Sequence, residues 1–409
     1  MNKLSLVGLA LLLVTVSFYT GRFTTPPPGA QGEDVKPELA ALSTTKNWFQ
    51  FMDVLQTAGN QVIRDGENGA LNEQDAIERY LGLMTILSNT ARMPLNNDPT
   101  RPLMTTFDLL PALSKIGGNS PDADYHGFPV SHEYSYRVRG TRGKAPFFAL
   151  QVQSRDIDLV KMQPRMYLAS VLTEDQLVYD EDGYFEVLVS KEKPEDYDGL
   201  WMAMDEKSMR MVIREYHHDR AAEGEPELSV EFLGEIPPAR PLTDSQVSGL
   251  LQQATFMSKF WFEARDWYPE LREPDAVNHF QTSEQGTVER SQDLALAADV
   301  QYMLGWWSLE EDEALVIEGV APESPYWIIQ LADRWLETTD FRRRQVHLNN
   351  SQVKIGADGN YRIVIAAKDP GIPNWLDNGE RTEGLMSFRW AYAQDVVPPQ
   401  TRVFKVSDL

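Results

Sequence analysis

The stretch YRVRGTRGKAPFFALQV, which begins at Tyr136, returns as LVIEGVAPESPYWIIQL at Leu315. The constant offset of 179 residues pairs Gly140 with Gly319, Phe147 with Tyr326 and Gln151 with Gln330. Further along, DEDGYFEVLVS pairs with GADGNYRIVIA at offset 176, and MVIREY with MSFRWA at offset 175, matching Arg214 to Arg389. Offsets this steady over about 80 residues are the mark of a duplicated structural unit. Within each copy, short runs such as EYSYRVRG, GYFEVLVS and SMRMVIREY alternate or are rich in β-branched and aromatic residues, with Gly, Pro and Asp-Gly between them. Such runs read as hairpin-linked strands, whose successive side chains point to opposite faces. The fold class expected is therefore mainly β with α: two duplicated β-sandwich or jelly-roll-like units rather than a parallel sheet. The Asp-Gly pairs at 182–183 and 358–359 predict type I′ hairpin turns, which also account for their faint likeness to calcium loops.

Helical periodicity surrounds the two copies. In residues 46–64, Trp48, Phe51, Met52, Leu55, Ala58 and Val62 recur at spacings of three and four. In the next helix Asn72 and Asp75 stand at capping distance, ahead of a stripe of Ile77, Tyr80, Leu81, Met84 and Leu87. Between the copies, Thr243 and Gln246 start a third helix with Val247, Leu250, Leu251, Ala254, Met257 and Trp261 on one face. All three stripes read as packing faces.

The N-terminus carries Lys3 and then an uncharged run from Leu4 to Gly21, followed by the proline-rich RFTTPPPGAQGED. The run is an export signal: long for a signal-peptide core and near the roughly 20 apolar residues that span a bilayer. An uncleaved anchor with a semi-rigid spacer is favoured, which places the bulk of the chain on the periplasmic or cell-envelope face. The expected organisation is a signal peptide or anchor (1–22), a linker (23–40), a helical segment (41–120), a first sandwich (121–238), a helical spacer (239–305) and a second sandwich (306–409).

Charge and composition exclude several functions. Sixty-one acidic residues against 38 basic ones give a net charge of −23, and no basic stripe is interleaved with aromatics, so nucleic acid is not an expected partner. Cysteine is absent, which removes disulfides and thiolate chemistry. None of His126, His132, His217, His218, His279 and His347 stands in a ligand-pair spacing, so no metal is expected, nor any other cofactor. There is no G-x-S-x-G elbow, phosphate loop or dinucleotide turn.

The ordered string SPYWIIQLADRW, HLNNSQVKIGADGNYRIVIAAKDPGIPNWLD and GLMSFRW resembles the bacterial family catalogued as domain of unknown function 1214, and the upstream HEYSYRVRGTRG region extends the resemblance over roughly residues 40–407. The resemblance implies a jelly-roll-like C-terminal unit and assigns no activity. The chain departs from the family pattern at Asn378, Glu380 and Arg381, where members usually carry Thr-x-Gly-His-like residues, so no role of that histidine is carried over.

One constellation remains, rich in indoles and amides and concentrated in the second copy: Trp327, Asp333, Arg334, Trp335, His347, Asn349, Asp369, Asn374, Trp375, Asp377 and Arg389, with Gln330 and Trp390 beside them. Indole faces next to Asn, Asp and Arg suit a sugar or another polar ligand. Recurrence separates fold from function: Gln330 and Arg389 have partners in Gln151 and Arg214, whereas DPGIPNWLD (369–377) has no full counterpart. The expectation is non-catalytic binding of a glycan or envelope component around Trp375. The alternatives are a carbohydrate- or lipid-active enzyme using His347, Asp369 and Asp377, and an envelope scaffold.

Overall fold

A computed structural model of the chain describes residues 37–106, 114–158, 163–281, 300–393 and 396–409. The expected signal or anchor and most of the linker lie outside them. No helix among the described residues is long and apolar enough to cross a membrane.

Strands, numbered in chain order, form two sandwiches. The first joins a sheet in the order β1 (Thr105–Thr106), β3 (Ala123–Pro129), β9 (Ser208–Tyr216), β5 (Phe147–Asp158) and β6 (Gln163–Thr173) to a sheet of β10 (Leu228–Phe232), β4 (Tyr136–Thr141), β7 (Tyr184–Ser190) and β8 (Leu200–Ala203). The second joins β11 (Val300–Ser308), β18 (Glu383–Ala391), β13 (Tyr326–Ala332) and β15 (His347–Asn349) to β17 (Trp375–Asp377), β16 (Asn360–Ala366), β12 (Glu313–Val320) and β19 (Gln400–Lys405). The order β3-β9-β5-β6 reappears as β11-β18-β13-β15, and β10-β4-β7-β8 as β19-β12-β16-β17. Even the parallel pairs correspond, β7 with β8 and β16 with β17. The duplication read from the offsets is thus a duplication of topology.

The turns at the Asp-Gly pairs differ from expectation. Gly183 and Gly359 have φ of 83° and 81°, but Asp182 and Asp358 are not in the left-handed region. A type I′ turn needs positive φ at both central residues. Here the Asp180 carboxylate accepts from the N–H groups of Asp182 and Tyr184, which shapes the first turn and leaves only the glycine left-handed.

Each sandwich has its own core. Phe128, Tyr136, Val138, Phe148, Leu150, Phe185, Val187, Met211 and Ile213 fill the first. Trp307, Leu315, Ile317, Trp327, Ile329, Ile363, Met386, Phe388 and Trp390 fill the second. A third cluster joins the units. Ala123, Phe147, Ala149, Val212 and Tyr216 on the β3-β9-β5 face meet Val300, Tyr326, Ile328 and Ala391 on the β11-β18-β13 face. The result is four sheets in succession, with the inner pair packed face to face.

Three longer helices, α1 (Ser43–Glu67), α2 (Glu73–Leu95) and α3 (Asp244–Phe262), form one layer. Both expected capping boxes are formed, Asn72 with Asp75 and Thr243 with Gln246. The packing faces, however, match the expected apolar stripes only in part: on α1 the buried residues Phe51 and Val62 belong to the stripe, and on α3 the stripe is half-buried around Ala254. On α2, Ile77, Tyr80 and Met84 are exposed, while Asp75, Arg79, Gly82, Thr85, Ile86 and Thr90 are buried. On α1, Trp48 and Met52 are exposed. On α3 the buried residues are Ser248, Ala254, Thr255 and Ser258. Small and hydroxylated residues let the helices approach closely and bond across the contact: Thr90 pairs with Ser258 at 2.6 Å, and the Asn47 amide donates to Ser248 Oγ at 2.6 Å.

Candidate functional site

Most of the residues singled out from the sequence fall into three places. The first is the joint between the helical layer and the second sandwich, built by Asp333, Arg334 and Trp335. The Asp333 carboxylate accepts from the N–H groups of Trp335 and Glu337, at 2.8 and 2.9 Å, folding the chain into a tight turn after β13. Burial pushes the Asp333 pKa up to about 6, against the opposing pull of those N–H groups and of Arg381 and Arg79. Arg334 reaches out of the turn to Asp75 (3.4 Å), Glu383 (3.2 Å) and the Ala70 carbonyl (2.8 Å). Trp335 packs with Val62 and Leu71, with the Arg79 guanidinium 5.2 Å from its ring centre. Arg79 in turn pairs with Glu337 at 3.4 Å and donates to the Phe262 carbonyl.

Above this joint the helices leave a groove of about 360 Å³. Val54, Ala58, Val62, Leu71, Phe262 and Trp335 supply its apolar wall, and Asp53, Thr57, Gln61, Asp65, Arg79, Lys259 and Glu263 its polar groups. Sequence reasoning found Trp335 but missed Arg79 and its partner Glu337. Neither carries a local motif: Arg79 falls on the polar side of the stripe read from the sequence.

The second place is one end of the seam between the inner sheets. His347 Nε2 lies 3.2 Å from Asp122 Oδ1, and the Asn349 amide donates to Asp122 Oδ2 at 2.8 Å. Asp122 is thereby held below the usual carboxylate range although its burial pushes the other way. Nearby, His217 stands 3.3 Å from Asp124, 3.6 Å from Glu215 and 3.0 Å from Glu223. Arg220 binds Asp124 at 2.7 Å. Burial alone would lower the His217 pKa, but Asp124 and Glu215 outweigh it and raise it. Of these residues the sequence reading named His347 and Asn349 and missed Asp122, Asp124, Glu215 and Glu223, which carry no local motif. No group of three or more His, Asp or Glu side chains among the described residues could hold a metal ion. The carboxylate that meets His347 is Asp122, not Asp369 or Asp377.

The third place is DPGIPNWLD itself. Asn374, with φ of 62°, accepts from the Lys354 N–H and donates to the carbonyls of Lys354 and Arg362. Asp369 accepts from the Gly371 N–H, and Asp377 pairs with Arg344 at 3.0 Å. At the matching place the first copy has KPEDYDGLW, which keeps an aromatic near its end, and sheet register makes that aromatic, Trp201, the counterpart of Trp375. Trp201 sits opposite Leu188 as Trp375 sits opposite Val364, at equivalent positions of β8 and β17. Its indole N–H donates to Ser190 Oγ at 2.9 Å, and that of Trp375 to the Ala366 carbonyl at 3.0 Å, again from equivalent positions. Trp375 therefore fastens a strand that exists twice. Trp327 and Trp390 are buried in the second core. Arg381, where the chain departs from the family pattern, clamps Glu78 of α2 at 2.8 and 3.0 Å.

A double β-sandwich with a helical layer and a groove between helices is the class this geometry defines. The family described as "protein of unknown function (DUF1214)" matches residues 119–220, the family that the sequence resemblance named. The matched residues lie in the first sandwich, whereas the motif string carrying the resemblance lies in the second. The chain is similar to a crystal structure of an uncharacterised protein from Burkholderia cenocepacia, 28% identical, with a TM-score of 0.75 and coverage of 89% of this chain and 98% of that one. It is more distantly similar to a protein from Vibrio parahaemolyticus, 12% identical, with a TM-score of 0.47 and coverage of 80% and 98%. No curated protein matches the chain.

Proposed function

We propose that the protein binds a small amphipathic ligand without transforming it, in the groove between the helices over Trp335 and Arg79. The observation that carries this reading is the groove itself. Its volume of about 360 Å³ falls within the roughly 300–1,000 Å³ of small-molecule sites, and its apolar wall with a few convergent polar groups is their usual lining. Trp335 is only 4% exposed, so it offers an edge and a floor rather than an open face for stacking a sugar. An envelope component with an apolar body and a polar head fits the lining better than a bare glycan does. If residues 4–21 export or anchor the chain, the ligand is met outside the cytoplasmic membrane.

The test is a thermal-shift screen of the full chain with a library of amphipathic fragments. The screen includes Ala58→Trp, which fills the groove from the half-buried face of α1, and Trp375→Ala as a remote control. Fragments that raise the Tm of the wild type and of Trp375→Ala, but not of Ala58→Trp, support the groove. Shifts lost in Trp375→Ala and kept in Ala58→Trp would move the site to the DPGIPNWLD turn and overturn the proposal.

A further inference from the structure

The seam between the two sandwiches encloses the residues that recur most faithfully in the two copies: Arg214 and Gln151 from the first, Arg389 and Gln330 from the second. Gln151 and Gln330 are at most 1% exposed, and Arg214 and Arg389 are 4% and 6% exposed. Arg214 lies 5.0 Å from the ring centre of Tyr125, its neighbour across β3 and β9. Arg389 lies 5.2 Å from that of Tyr302, its neighbour across β11 and β18. The two guanidinium groups line the same layer, because the rings they lie over, Tyr125 and Tyr302, pack in one cluster between the inner sheets.

The polar groups on the two sides are not equally served. In the second copy, Gln330 and Arg389 both donate to the Gly118 carbonyl. In the first copy, Nε and Nη1 of Arg214 and both amide atoms of Gln151 have no hydrogen-bond partner among the described residues, and Arg389 Nε has none either. Nor does any ion pair among the described residues join either arginine to a carboxylate. A buried cation without a partner is costly, and proteins answer with a counter-charge. Tyr302 and Tyr326 cannot provide one: burial holds both well above their ordinary pKa, so at neutral pH they are uncharged. Tyr302 packs in this layer and is itself half-buried.

We propose that this seam is an anion site, in which a small carboxylate or halide ion sits between Arg214 and Arg389 and accepts from Arg214 Nε and Nη1 and from the Gln151 amide. The site lies apart from the groove and stands on different residues. It would make the packing of the two sandwiches depend on a bound ion.

The experiment follows the Tm of the full chain against sodium acetate at constant ionic strength, for the wild type, Arg214→Leu and Arg137→Leu, the last a half-buried arginine on the outer sheet, away from the seam. The expected result is a saturable rise in Tm for the wild type and Arg137→Leu, with apparent affinity lost by about 30-fold or more in Arg214→Leu, as for truncating one partner of a buried charge pair. A Tm that does not respond to acetate, or responds equally in Arg214→Leu, overturns the proposal. Should Arg214→Leu fail to fold, wild-type crystals grown in sodium bromide decide by anomalous scattering. A bromide peak between the two guanidinium groups supports the site, and its absence there refutes it.

Discussion

Replacing Trp335 with alanine tests how the helical layer is held to the sandwich. The indole is 4% exposed. A tryptophan buries about 200 Å² on folding, and at about 25 cal/mol per Å² its removal costs about 5 kcal/mol. That agrees with the roughly 3–5 kcal/mol seen for large-to-small core truncations. The Arg79 guanidinium over the ring adds about 1 kcal/mol; the Arg79–Glu337 pair survives the substitution and is not counted. A loss of about 4–6 kcal/mol is therefore expected. Because Val62, Leu71 and Trp335 form a cluster of their own, the loss should be local, loosening α1 and α2 before the sandwiches. Urea unfolding followed by hydrogen exchange with mass spectrometry measures both. A loss below about 1 kcal/mol, or faster exchange spread evenly over the strands, would refute the reasoning.

Asp333→Asn keeps an oxygen to accept from Trp335 and Glu337 but removes the titration. A carboxylate whose folded pKa is raised to about 6 is stabilising only when protonated, so the wild type should gain stability relative to the mutant as pH falls from 7 to 4.5. The gain is on the order of 2 kcal/mol, read from the difference between two urea series. His217 and Asp124 oppose each other in sign. The raised His217 contributes stability that is present below about pH 6.5 and lost as pH rises through its folded value, whereas the lowered Asp124 contributes stability that is present above about pH 4 and lost in acid. His217→Gln should flatten the alkaline arm of the stability profile and leave the acid arm in place, as denaturant titrations across pH would show. At Gly82 an added Cβ would collide with the buried Glu337 carboxylate; Gly82→Ala should destabilise by about 1–3 kcal/mol despite alanine's better helix propensity, measured by thermal unfolding. Trp201→Phe and Trp375→Phe each remove one indole hydrogen bond and should cost similar amounts, about 1 kcal/mol apiece by urea unfolding. A several-fold inequality would contradict the equivalence of the two positions.

How far the sequence reveals this molecule depends on whether the signal is local. The duplicated sandwich was legible because strand alternation and the offsets 179, 176 and 175 survive in the residues themselves. The capping boxes at Asn72 and Thr243 were legible because their chemistry lies within four residues. The helix faces were legible only in part, and that of α2 was not. A periodic apolar stripe predicts burial only when the partner surface is apolar, and α2 instead turns Asp75, Arg79, Gly82 and Thr90 inward to meet Arg334, Glu337 and Ser258. The DPGIPNWLD segment looked unique because the matching KPEDYDGLW keeps only an aromatic near its end and lacks DPG and the Asn-Trp-Leu-Asp string. Sheet register, not sequence alignment, shows that Trp201 and Trp375 match. The seam escaped notice for a related reason. Asp122 lies just before β3, His217 just after β9 and His347 at the start of β15, far apart in sequence, and recurrence of Arg214 as Arg389 spoke for a fold role while hiding that both face the same enclosed layer.

The groove over Trp335 is the claim on which the proposed function stands, and fluorine NMR at that residue addresses it most directly. Full-length protein carrying 5-fluorotryptophan, with the Trp335 resonance assigned through Trp335→Phe, is titrated with the fragments that raise its Tm. A saturable shift of the Trp335 resonance, with that of Trp375 unmoved, is the predicted result. Saturable movement at Trp375 with none at Trp335 would contradict it.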